Sequence, residues 1–280
     1  MKTILVIANE TIGGRPLLDA VKARAAEGDV RFVLCVPLSR PKAGLVVYDY
    51  AVHDAAQVRV DLAVEFLQSE GIDAIGEVGD PDPYSATIDA VREYQPTEIL
   101  ISTYPETRSG WLRHDLIERV RAATGLPVEH LVSDIDSQGL PFHVTLAVAN
   151  RTASGDELLK TLQEKAETPA EDGERHLFIV VVPQEGGHGH AAQRARTRLK
   201  LVLDRMRAAG LYAAGMIGDP DPYRAVTHAL QQFRVDDIVV STFAETKSGW
   251  LRSDLIERVR RTTGKPVQHV VQDETESARA

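Results

Sequence analysis

The sequence contains one cysteine, Cys35, so no intrachain disulfide can form. Cys35 lies in the apolar run Phe32-Val33-Leu34-Cys35-Val36 and reads as a small core residue. No run approaches the roughly 20 apolar residues that span a bilayer. The first residues, MKTILVIANE, lack the long apolar stretch and small-residue cleavage site of a secretory leader. A cytoplasmic protein without a membrane partner is expected. Positive charge is also scarce: 32 Lys and Arg stand against 41 Asp and Glu, a net charge of −9 at pH 7. That balance argues against an extended nucleic-acid surface, which needs clustered cations. It leaves a small anionic ligand open, because local backbone dipoles can outweigh a global charge. Several enzyme signatures are missing too: there is no G-x-S-x-G elbow, no G-x-x-x-x-G-K-[ST] loop, and no G-x-G-x-x-G after the first strand. No catalytic residues and no resident metal are expected.

What the sequence does have is a second copy of itself. Residues 79–132 and 218–271 align without gaps, and 31 of the 54 positions are identical. Both open on GDPDPY and share SGWLR and DLIERVR. A weaker match reaches the front of each copy, where Asn9-Glu10-Thr11, Gly14 and Leu17-Leu18 answer Asn150-Arg151-Thr152, Gly155 and Leu158-Leu159. The period of about 140 residues is that of a whole domain. Two similar domains, 1–133 and 142–272, are expected, with a linker at 134–141 and an acidic tail at 273–280.

Within each copy, short β-branched runs alternate with helical patterns. Ile4–Ala8, Phe32–Val36, Ala74–Val78, Ile99–Thr103 and Val128–Val132 read as strands covered on both faces. Helix periodicity fills 16–27, 55–70, 83–94 and 109–123. The second copy repeats the order, with strands near 144–149, 177–182, 213–217, 238–242 and 267–271. The expected fold class is α/β: two tandem five-stranded parallel sheets with helices on both faces.

Three duplicated segments are candidates for function. GDPDPY (Gly79–Tyr84 and Gly218–Tyr223) reads mainly as structure, with Gly for a turn, Asp82 or Asp221 as N-cap, and Pro83 or Pro222 at the first helical position. The second segment runs from Ser102-Thr103 to Arg108-Ser109-Gly110, matched by Ser241-Thr242 and Lys247-Ser248-Gly249. Hydroxyls, one cation and free amides at a helix start would suit an anion. A capped helix anchored by Trp111 or Trp250 explains the same residues. The third is Asn9–Gly14 with Asn150–Gly155, where Asn9, Thr11, Asn150 and Thr152 either line a pocket or form a turn and cap. His188 and His190 in GGHGH are a weak metal signal, and His130 and His269 on the fifth strands suit an interface as well as a site.

The strand pattern, GDP before the third helix, and Ser-Gly followed by a hydrophobic step after the fourth strand together resemble the universal stress protein family, in both halves of the chain. That resemblance implies strand order 3-2-1-4-5, and a ligand crevice where the order reverses between strands 1 and 4. It implies ATP or AMP as a ligand class, and pairing through strand 5, which the two copies would satisfy as an intrachain pseudo-dimer, with further oligomerisation left open. The motif departs from the family's nucleotide-binding pattern. Ser102 and Pro105, and Ser241 and Ala244, replace its first two glycines; Asp115 and Asp254 fall where the third glycine is expected. Asn9 and Asn150 replace the acidic residue ending strand 1. These departures argue against ordinary ATP binding. The expected role is stress-linked binding or signalling with an unknown protein partner. A nucleotide-binding or slowly ATP-hydrolysing protein is one alternative; a ligand-free interaction module, with Tyr104 and Phe243 filling the crevice, is another.

Overall fold

A computed structural model describes residues 1–38, 49–105, 111, 115–168, 175–185, 190–244 and 254–272, with 49–51 described in the backbone alone. The chain divides into two compact units, Met1–Pro141 and Phe142–Ala280.

The first unit alternates β1 (Lys2–Ile7), α1 (Arg15–Ala25), β2 (Val30–Pro37), α2 (Asp49–Ser69), β3 (Asp73–Gly79), α3 (Pro83–Tyr94), β4 (Glu98–Thr103), α4 (Leu116–Thr124) and β5 (Val128–Val132), then ends in a short α5 (Ile135–Gln138). All strand pairings are parallel and the order is β3-β2-β1-β4-β5. The second unit runs β6 (Phe142–Val148), α6 (Asp156–Glu167), β7 (Arg175–Pro183), α7 (Ala191–Ala208), β8 (Tyr212–Gly218), α8 (Pro222–Gln232), β9 (Asp237–Phe243), α9 (Leu255–Thr263) and β10 (Val267–Gln272). Its order, β8-β7-β6-β9-β10, is the same topology. Two five-stranded, all-parallel α/β domains are thus the fold class, with the strand order that the resemblance implied.

The central strands are apolar on both faces, as the unbroken runs predicted. Ile4, Leu5, Val6, Ile7 and Ala8 are fully buried, and Phe32 and Phe178 occupy equivalent core positions. Local chemistry sets the helix ends. Asp82 and Asp221 cap α3 and α8 ahead of Pro83 and Pro222. Gly125 and Gly264 close α4 and α9 with φ of 67° and 65°, a left-handed turn that glycine adopts without a steric penalty. Three expectations differ in extent. The helix read at 109–123 begins only at Leu116, after Asp115 in a left-handed conformation, so the first turn of α4 is not at Ser109-Gly110. Helix α2 begins at Asp49, a turn and a half before the predicted start. The expected linker carries α5, whose Ile135 is 6% exposed.

Candidate functional site

Ligands of such sheets bind at the carboxyl ends of the strands where the order reverses, here between β1 and β4 and between β6 and β9. The sequence candidates on the first loops do two different jobs there. Thr11 donates its hydroxyl to the Ser102 carbonyl at 3.0 Å, and Thr152 repeats this with Ser241 at 3.0 Å. Each threonine therefore ties the first loop to the neighbouring fourth strand. Asn9 instead turns toward β2, where its carboxamide donates to the Pro37 carbonyl. Backbone bonds from Ile12 to Asn9 and from Gly14 to Thr11 close the turn, and Gly14 and Gly155 precede α1 and α6 as N-caps. The turn-and-cap reading accounts for this segment.

Ser102, Thr103, Ser241 and Thr242 are all buried, and protein groups take up three of the four hydroxyls. Thr103 donates to the Tyr104 carbonyl and meets His130 Nε2 at 2.9 Å; Thr242 donates to the Phe243 carbonyl and meets His269 Nε2 at 2.8 Å. A hydroxyl has one proton, and the carbonyl takes it. The imidazole Nε2–H must then be the donor to the threonine oxygen. The duplicated histidines thus pin the strand ends of β4 to β5 and of β9 to β10. Ser102 Oγ lies 3.2 Å from Ser133 Oγ. In the second unit Gln272 stands at the Ser133 position and reaches away, accepting from the Glu157 amide at the start of α6 at 3.2 Å. Among the described residues, the buried Ser241 Oγ is left without a partner.

The same substitution explains the first-loop glycines. A Cβ on Gly155 would stand 2.0 Å from Gln272 Oε1, and one on Gly14 would stand 2.6 Å from Ser133 Oγ. Neither glycine has a backbone angle that requires glycine; close packing requires it.

Sequence reasoning missed a bridge across each crevice. Tyr104 donates its phenol to Glu10 at 3.1 Å. In the second unit both partners have changed together, and the Arg151 guanidinium lies 5.5 Å from the centroid of the Phe243 ring. Each is a first-loop charge meeting the aromatic residue that follows the fourth strand. Burial, followed by the Glu10 and Asp136 charges, pushes the Tyr104 phenol well above its ordinary pKa. It stays a donor at any physiological pH.

A second omission is a buried cation. Arg59 on α2 is 7% exposed, and Arg198 occupies the matching place on α7. Burial lowers the Arg59 pKa, with the Glu10 and Tyr104 charges acting against it. Arg198 donates to Asn150 Oδ1 at 2.7 Å and to Glu185 at 3.0 Å, so in the second unit the cation is held by the asparagine that ends the first strand. Arg59 had a signal, being a single cation in an apolar stretch (AAQVRVDLAV). Arg198 sits among several arginines, and only the pairing of the two copies distinguishes it.

GDPDPY is fully explained by local structure. The Asp80 and Asp219 side chains accept from the amides of Asp82 and Asp221 at 2.8 Å, and the second aspartate of each motif caps the helix. Gly79 and Gly218 permit close approach to Ala86 and Ala225. The tyrosines stack under arginines of the next helix, Arg119 over Tyr84 and Arg258 over Tyr223.

Arg108, Ser109, Gly110, Lys247, Ser248, Gly249 and His188 lie outside the described residues. The residue closing that segment is described and informative. Asp115 and Asp254, where the family motif would place glycine, both have φ of 49°. The left-handed backbone that suits glycine is present in both units, with a carboxylate on it. His190 meets Gln193 at 3.1 Å, and among the described residues no group of three potential ligands could hold a metal ion. No helix is long and apolar enough to cross a membrane, again among the described residues.

The fold and these loops define a doubly wound α/β domain present twice. No protein-family model matches the sequence, and no curated protein does. Solved structures are similar. A universal stress protein from Archaeoglobus fulgidus shares 16% identity over 98% of this chain and 97% of that one, at a TM-score of 0.35. A universal stress protein family protein from Arabidopsis thaliana with AMP bound shares 12% identity over 49% of this chain and 95% of that one, at 0.34. A universal stress protein family member from Burkholderia pseudomallei shares 18% over 47% and 96%, at 0.32.

Proposed function

We propose that this chain is a non-enzymatic binding or signalling protein of the stress-protein type that works without ordinary ATP binding. One observation carries the reading: in both units a first-loop charge and the aromatic residue after the fourth strand bridge the crevice, as Glu10 with Tyr104 and Arg151 with Phe243. A nucleotide entering there would have to break that bridge. Its phosphates would then approach the start of α4 or α9, where Asp115 and Asp254 present carboxylates in place of a bare glycine backbone. The rest of the chain is free to serve a protein partner.

A second reading, a small anion or adenine nucleotide at the crevice, is favoured by the cations Arg59 and Arg198 near the end of each first strand. Under it, Arg108 and Lys247 neutralise the ligand, and the amides near Ser109-Gly110 and Ser248-Gly249 donate to it. Asn9, Thr11, Ser102 and Thr103 with Asn150, Thr152, Ser241 and Thr242 form the walls.

Calorimetric titration of the whole chain with Mg-ATP and with AMP separates the two. The first reading expects no saturation up to millimolar nucleotide, and micromolar binding at two sites per chain overturns it. Replacing Asp115 and Asp254 together by glycine removes the carboxylates and keeps the backbone shape. Nucleotide binding that emerges only in this variant supports the first reading. If the wild type binds and Arg108→Glu with Lys247→Glu leaves affinity unchanged, the cation assignment in the second reading fails.

A further inference from the structure

The opposite ends of the sheets, where the strands begin, carry a second duplicated cluster, and the copies differ there in an instructive way. In the first unit Glu98, at the start of β4, accepts from Lys2 on β1 at 2.9 Å and from Arg24 on α1 at 2.7 Å, and Arg24 also pairs with Glu129 on β5. Burial works against the Glu98 carboxylate, but the Arg24 and Lys2 bonds outweigh it and hold its pKa below the ordinary range. The Glu98–Arg24 pair keeps its charge across physiological pH.

The strand registers place Asp237 and His143 at the positions of Glu98 and Lys2, and Lys165 on α6 stands where Arg24 stands on α1 in the aligned copies. Lys165 on α6 donates to Asp237 at 2.5 Å, and His143 Nε2 lies 3.5 Å from the same oxygen. The next strand adds a second imidazole. Lys2 faces Val30 in the first sheet, whereas His143 faces His176 in the second, with ring centroids 4.9 Å apart. Position 268, which answers Glu129, is the neutral Gln268. One permanent cation has become a histidine, one valine has become a histidine, and one acid has been lost.

We propose that this cluster of His143, His176, Asp237 and Lys165 is an acid-sensitive latch, by which the second domain loosens as pH falls while the first does not. His176 Nε2 faces the Thr168 carbonyl at 2.9 Å and must carry its proton there. The lone pair is then on Nδ1, which is buried and, among the described residues, has no partner. A second proton at Nδ1 would be a charge without an acceptor, beside His143, with Lys165 close by and Phe178 stacked on the ring. Asp237 Oδ2 is already engaged by Lys165 and faced by His143, so its charge opposes the loss at His176 only in part. Asp236 is engaged with the Val144 amide at 2.8 Å.

Burial, with His143 and Lys165 adding to it against the Thr168 bond and the Asp237 charge, lowers the His176 pKa. The folded domain therefore binds that proton more weakly than the unfolded chain. The latch contributes fully above the ordinary imidazole value of about 6.5, and its contribution falls as pH drops below it. Asp237, where the Lys165 bond and charge overcome the cost of burial and lower the pKa, weakens only in a separate window, below the ordinary aspartate value.

The test is native-state amide exchange on the whole chain, comparing protection in β6, β7 and β9 with β1, β2 and β4 between about pH 7.5 and about pH 5.5. The expected result is a selective loss in the second sheet, approaching about tenfold per pH unit for one proton. Equal behaviour of the two sheets overturns the proposal without any variant being made. His143→Lys with His176→Val, the residues of the first unit, should abolish the selective loss. A selective loss that persists in a folded double variant also overturns it, because other histidines would then be responsible.

Discussion

The Arg258 guanidinium lies 3.6 Å from the centroid of the Tyr223 ring, and Arg119 lies 4.0 Å from that of Tyr84. This stacking joins the two motifs that the copies share most fully. GDPDPY ends in the tyrosine, and DLIERVR supplies the arginine from the next helix but one strand further along the chain. A double-mutant cycle between Tyr223→Leu and Arg258→Ala, read by denaturant unfolding, should give a coupling of about 0.5 kcal/mol, the size of an exposed cation–π contact. A coupling of zero would leave the shared motifs without this common cause.

Asp82 accepts from the Ser85 amide at 3.1 Å and from its hydroxyl at 2.9 Å. Burial opposes the charge, but these bonds, the Tyr84 amide and the Arg119 charge together outweigh it and hold its pKa below the ordinary aspartate value. Its contribution is thus present above that value and is lost as pH falls through the lower folded one. Asp82→Ala should cost about 1 kcal/mol at neutral pH. Asp82→Asn should keep most of the cap and flatten this part of the acid limb in a pH series of unfolding curves.

The two serines at the ends of β4 and β9 should respond in opposite ways. Ser102→Ala removes half of a buried hydroxyl pair with Ser133 and should cost about 1 kcal/mol. Ser241→Ala removes a buried hydroxyl without a partner among the described residues and should be neutral or stabilising. Thermal unfolding of the two variants side by side decides it. Equal losses would mean that Ser241 is satisfied as Ser102 is.

Cys35 is 1% exposed, and burial, followed by the Glu77 charge, pushes its thiol up to about 12. The folded protein should therefore react with a disulfide reagent at about pH 8 only through opening. The labelling rate should rise with urea in step with unfolding of the first domain. Rapid labelling in the absence of denaturant would contradict the burial.

Periodicity and composition determined much of this protein without coordinates. Runs such as Ile4–Ala8 read as strands covered on both faces, the repeat of Gly79–Val132 at 218–271 pointed to two domains, and Asp82-Pro83 announced a helix start. These are local properties, carried by side-chain order along the chain. The site was less legible because its chemistry joins residues distant in sequence. That Thr11 serves Ser102, that Tyr104 answers Glu10 as Phe243 answers Arg151, and that Gln272 forbids a side chain at Gly155 all depend on which strands become neighbours. The cluster at His143, His176 and Asp237 arises in the same way, from parallel registers that bring three strand beginnings together. Sequence sets what each segment prefers to be. Tertiary structure alone decided which polar groups meet, because burial makes every unmet donor or acceptor costly and so selects the partners.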